Sequence, residues 1–125
     1  MTLRTQPIKT DSYRLEATLL PEKLNVVLKG TFDMTATPDL ALYLVSIEAE
    51  VKRLEIREVV IDVVEVYYLG SSCIKSFVTF VEAMKKHGFH PQVRVLTNPR
   101  LDWHERTFSV LARLSPALVT LERAK

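Results

Sequence analysis

Ser71 and Ser72 stand where an apolar run, Val59 to Val64 and then Val66, Tyr67, Tyr68 and Leu69, reaches Gly70 and gives way to a helical pattern. Hydroxyls at a helix start meet backbone N–H groups that have no partner inside the helix and carry the positive end of its dipole. A serine there can cap the helix, or accept a phosphoryl group whose charge that field favours. Cys73 lies in the first turn of the same helix, where a thiol can become nucleophilic. No arginine follows it at the spacing of a cysteine phosphatase and no histidine is near it in sequence, so a thiol enzyme would rest on Cys73 alone. A small buried residue is the plainer reading. Asp62, embedded in the apolar run, needs hydrogen bonds or a partner if buried, and either a structural bond to the nearby turn or phosphate chemistry would supply them. Asp33 precedes turn-forming residues and could serve local bonding only.

The remaining candidates point less sharply. His87 and His90 flank Gly88 and read as solvent-facing; His104 lies in a capped helix turn. With a single cysteine, no His/Cys spacing resembles a metal site. Trp103, with Arg100 and Arg106 nearby, suits either a partner surface or packing on its own helix, and packing has the stronger claim. Tyr67 and Tyr68 point to opposite faces if the strand persists through them.

These residues need a scaffold, and the apolar spacing supplies one. Tyr13, Leu15, Ala17 and Leu19 alternate with polar residues up to Pro21, and Leu24 to Phe32 follows as the second arm of a hairpin. Thr37-Pro38 reads as cap and first residue of a helix carrying Leu40, Leu44, Ile47, Val51 and Leu54, ending near Glu55. Val59 to Val64 is continuously apolar and valine-rich, which predicts a central strand covered on both faces. Ile74, Phe77, Val78, Val81 and Met84 mark a second helix, stopped by Lys85-Lys86-His87-Gly88. Val93 to Leu96 is a short strand. Asp102-Trp103-His104-Glu105 has the capping-box pattern for a third helix with Phe108, Leu111 and Leu114, and Val119 to Leu121 reads as an edge strand. Met1 to Asp11 shows no periodicity and reads as a frayed arm or a short edge contribution.

At 125 residues, 47% hydrophobic and 26% charged, the chain fits a single domain spanning residues 1–125. A net charge of +2 with dispersed lysine and arginine gives little reason to expect direct nucleic-acid binding. No segment approaches the roughly 18 to 20 apolar residues of a membrane span, no secretory leader is visible, and the lone cysteine suits a reducing compartment, so the cytoplasm is the expected location. Strands alternating with helices behind an opening hairpin predict an α/β fold: an open mixed sheet of about five strands. Ligands and partners of such sheets meet the strand ends where the chain turns into a helix, which is where Ser71 falls.

Two stretches resemble the STAS domain, the family of the bacterial anti-sigma factor antagonists. One is Gly30-Thr31-Phe32-Asp33 followed by Thr37-Pro38-Asp39-Leu40; the other runs without a gap from Ile61 to Cys73 and is the more specific. The resemblance covers about Leu24 to Leu121 and implies a STAS-like sheet with helices mainly on one face. It places Ser71 at the family's phosphoacceptor and Ser72 at the next hydroxyl, the cap, with Asp33, Asp62, Gly70 and Cys73 around them. Gly70 replaces the typical aspartate and Cys73 the typical glycine. Tyr68, Lys75 and Trp103 are the candidate partner contacts. The family further implies a non-enzymatic, phosphorylation-controlled regulator in a partner-switching pathway, with a serine kinase of anti-sigma type and a phosphatase as partners and transcription as one output. ATP would belong to the kinase; the chain itself would need no cofactor or metal. A homodimer is left open. An unphosphorylated scaffold or transporter-associated module is the alternative implied by the same family.

Overall fold

The computed structural model describes residues 2–125; Met1, the first residue of the expected arm, lies outside them. The elements are β1 (Ile8–Lys9), β2 (Tyr13–Leu19), β3 (Leu24–Phe32), a short 3-10 turn (Met34–Ala36), α1 (Thr37–Leu54), β4 (Glu58–Leu69), α2 (Ser71–Met84), β5 (Gln92–Thr97), α3 (Asp102–Leu114) and β6 (Val119–Arg123). The strands form one six-stranded sheet in the order β1-β2-β3-β4-β5-β6. The first three are antiparallel neighbours, and β3 to β6 are parallel. This is the mixed open α/β sheet the sequence predicts, with β1 as an additional edge strand. Two residues of strand were too few to leave a periodic signal.

Parallel crossovers take one hand, so three successive steps in the same direction lay all the intervening helices on one face of the sheet. The packing agrees. Leu40, Leu44, Ile47 and Val51 of α1, Phe77, Val81 and Met84 of α2, and Phe108 and Leu111 of α3 join Val59, Ile61, Val63 and Val66 of β4 in one buried cluster. The expectation that β4 is covered on both faces is therefore corrected. Its other face carries Val60, Asp62 and Glu65 beside Lys29 and Arg94, and long charged side chains rather than helices shield it. Arg94 bridges Glu58 and Glu122 across that face.

Local chemistry sets the boundaries. Glu55 closes α1 in the left-handed region (φ 49), with the N–H of Ile56 bonded to Val51 O and that of Glu55 to Lys52 O. Gly30 is held at φ +107, and a Cβ there would lie 2.2 Å from Ser12 O, the acceptor of the Thr31 N–H. Only glycine suits both demands.

Residues 2–9 make the short edge contribution, as β1, and are not a frayed arm. The buried Glu50 carboxylate accepts the Arg4 N–H and two bonds from Arg53, whose guanidinium also reaches Thr2 O, while β1 pairs with β2.

Candidate functional site

The site forms at the carboxyl ends of β3 and β4. Gly70 donates its N–H to Phe32 O at 2.8 Å, which clamps the β4–α2 turn against the end of β3. Gly70 is also the N-cap of α2, in extended conformation, and its carbonyl accepts from Cys73 N and Ile74 N. The N–H groups of Ser71 and Ser72 therefore remain as the free, positive end of the helix. Ser71 is exposed at the first helical position.

Its two successors face inward. The Ser72 hydroxyl lies 2.6 Å from Thr37 Oγ1, and the fully buried Cys73 thiol packs 3.6 Å from Phe32 O, Asp33 O and Thr37 Oγ1. Neither serine caps α2, which corrects the assignment of Ser72 as the cap. Likewise Thr37 does not cap α1: the N-cap is Ala36, and the Thr37 hydroxyl is turned to Ser72 instead. A tertiary bond between the starts of two helices has displaced a local one. Asp33 takes the capping role one turn earlier, accepting the Thr35 N–H at 2.9 Å and its hydroxyl at 2.6 Å. Those two bonds hold its carboxyl below the usual aspartate range. Nearby, the hydrogen bond from Tyr13 to Asp39 keeps the phenol protonated, pushing its pKa up to about 12.

The structure thus brings together Asp33, Gly70, Ser71, Ser72 and Cys73. It leaves Asp62 out. Asp62 lies seven residues before the end of β4, about 23 Å along an extended strand, and its carboxylate accepts the Val64 N–H on the helix-free face. Tyr68 does reach the rim, but so does Tyr67, against the expectation of opposite faces; they are 53% and 57% exposed. The reason is a bulge: Gly30 pairs with Val66 and Thr31 with Tyr68, so one residue of β3 faces two of β4. Lys75 is exposed one turn beyond Ser71. Met34, 78% exposed in the turn before α1, is a rim residue that the sequence reading missed; its lack of periodic neighbours was the only signal.

Trp103 packs on the core, its ring 4.4 Å from His104 and 6.5 Å from Phe108. Its helix has no capping box. Leu101 is the N-cap, Asp102 is the first helical residue, and Glu105 is bonded by the Arg123 guanidinium. His104 is fully buried: Nδ1 accepts the Asn98 N–H at 3.0 Å and Nε2 donates to Val66 O at 2.8 Å, tying α3 to the turn after β5 and to β4. His87 is not solvent-facing either; its ring stacks on Phe89 and places Nε2 3.5 Å from Glu48. Among the described residues no three His, Cys, Asp or Glu side chains cluster as a metal site would require, and no helix is long and apolar enough to cross a membrane.

No family model matches the chain, and no curated protein matches it. Solved structures do. An anti-sigma factor antagonist from Mycobacterium paratuberculosis superposes with a TM-score of 0.67 at 21% identity, over 90% of this chain and 87% of that one. The Bacillus cell fate determinant SpoIIAA in its phosphorylated form gives 0.60 at 13% identity, over 91% and 92% of the two chains. The anti-sigma factor antagonist SpoIIAA in its unphosphorylated form gives 0.61 at 14% identity, over 91% and 89%. At these identities the likeness is one of fold, and it is the STAS fold that the Ile61 to Cys73 stretch suggests.

Proposed function

We propose that this chain is a protein-binding regulator whose partner docks on the rim around Ser71 and is released when that hydroxyl is phosphorylated. The observation that carries the reading is the exposure of Ser71 at the first position of α2, beside the exposed Tyr67, Tyr68 and Met34. Phosphorylation adds about −1.5 to −2 charge and three strong acceptors. The free N–H groups at the start of α2 and the ammonium of Lys75 four residues on favour that charge within the fold. A partner surface packed on the same rim would have to desolvate it, so association is lost while the domain stays folded. By analogy of fold with the anti-sigma factor antagonists, a serine kinase of anti-sigma type and a phosphatase acting in a partner-switching pathway are the proposed partners, regulation of transcription is the proposed output, and the cytoplasm is the proposed location. ATP would belong to the kinase.

Cys73 is the one nucleophile that argues for an enzyme, and its burial among backbone carbonyls argues for a packing role. The test is site mapping of protein recovered from its own cells, with and without phosphatase, together with partner capture by Ser71→Asp and Ser71→Ala. The expected result is one phosphate at Ser71 and capture retained by Ser71→Ala but lost by Ser71→Asp. Equal capture by both variants, with no phosphate found, favours the unphosphorylated scaffold module.

A further inference from the structure

Beside the rim, α1 and α2 enclose a groove of about 370 Å³, of whose lining side chains the reading above uses only Lys75. Its floor is Leu44 and Phe80, and its walls are Ala41 and Val45 on α1 and Ala83 on α2. The α2 wall also carries hydroxyls, yet their hydrogen bonds are made within the chain: Ser76 bonds back to Ser72 O and Thr79 to Lys75 O, while Ser72 and Thr37 bond each other. Polar residue types thereby present a wall of reduced polarity. Val45 on the edge is 63% exposed, and Leu42, further round α1, is 70% exposed.

The groove is electrically directional. Lys75 stands at the end near Ser72 and has no ion-pair partner among the described residues. Glu48 stands at the other end, against His87. The two helices also run the same way, since their first turns meet at Thr37 and Ser72 and Glu48 meets His87 just past the end of α2. Both positive helix ends therefore lie at the Lys75 end. From Thr37 to Glu48 is eleven residues of helix, about 16 Å or three turns.

We infer that this groove binds an amphipathic α-helix of a protein partner, lying antiparallel to α1 and α2 with its C-terminal end at Lys75 and its N-terminal end at Glu48. A helix is the occupant whose own charge distribution matches: negative at its C-terminus, positive at its N-terminus, with an apolar stripe repeating at three and four residues to fill a three-turn trough. This goes beyond the switch at Ser71 and does not require it. The experiment uses the unmodified chain, so its failure would leave the phosphorylation reading untouched.

The probe is a hydrocarbon-stapled peptide of about 14 residues, just under four turns, with leucines at i, i+4 and i+7 on an alanine-glutamine background. Two versions carry a nitroxide at either end, and binding is followed by NMR of the labelled protein. Saturable shifts are expected at Ala41, Val45 and Ala83, with the C-terminal nitroxide broadening Lys75 and Ser76 and the N-terminal one broadening Glu48 and Ala83. Val45→Glu, at an exposed position whose folding the same spectrum checks, should weaken binding about tenfold or more. The double variant Lys75→Glu with Glu48→Lys should reverse the orientation preference. The proposal is overturned by absence of saturation at millimolar peptide, by shifts centred elsewhere, or by the opposite orientation in the unaltered chain. It is equally overturned if decanoate saturates the groove where the peptide does not, which would make it a small-molecule cavity.

Discussion

Ser71 and Ser72 are adjacent and of one type, yet one hydroxyl is offered to solvent and the other is spent joining two helices. Sequence placed both at the right turn but assigned the cap to Ser72, because a local preference is visible in a chain and a contact thirty-five residues away is not. The two glycines of the site differ in the same way. At Gly70 (φ −71) an added Cβ meets nothing closer than Phe32 O at 3.5 Å, an ordinary contact, so the backbone there admits a Cβ. At Gly30 the added Cβ would overlap Ser12 O in a backbone conformation that side chains resist. Gly30→Ala should therefore lower stability by roughly 2 kcal/mol or more, the cost of left-handed strain plus a displaced backbone bond, whereas Gly70→Ala should change it by less than about 1 kcal/mol. Urea midpoints of the two variants check this directly.

At the scale of elements, periodicity was a sound guide to existence and a poor one to detail. The stripes of α1, α2 and α3 and the alternation in β2 and β3 were legible because one face of each meets a single core. Their ends were not. Asp102-x-x-Glu105 looked like a capping box, but Glu105 is taken by Arg123 of the neighbouring β6. The bulges of β4, which bring both Tyr67 and Tyr68 to the rim, depend on register with β3 and have no signature within β4 alone. The N-terminal segment was legible only in part: the short edge contribution is β1, paired with β2, whereas its anchor on Glu50 of α1 leaves no mark within residues 2–9. Glu50 is kept below the usual glutamate range first by its bonds from Arg53. Because the folded state thus favours the ionised form, its contribution is fully present above the unfolded value of about 4.3 and is lost as pH falls through the lowered value. Glu50→Gln should therefore flatten the acid limb of stability against pH, measured as urea midpoints from neutral pH downward.

For the whole molecule, the decisive feature is that the strands advance in one direction, which puts the helices on one face. The valine-rich run of β4 suggested two covered faces; what it could not reveal was that Arg94 and its carboxylate partners do the covering on the second. Helices and strands throughout the described residues share one buried cluster, so we propose a single folding unit. Unfolding in urea should show one transition, coincident in far-ultraviolet circular dichroism and in the fluorescence of Trp103, the sole tryptophan; separated midpoints would count against it. A sheet whose every strand lies beside its immediate predecessor has a further consequence for biosynthesis. As the polypeptide leaves the ribosome, each new strand finds its neighbour already made, so assembly can proceed vectorially, with the segments that form the Ser71 turn emerging ahead of β5, α3 and β6.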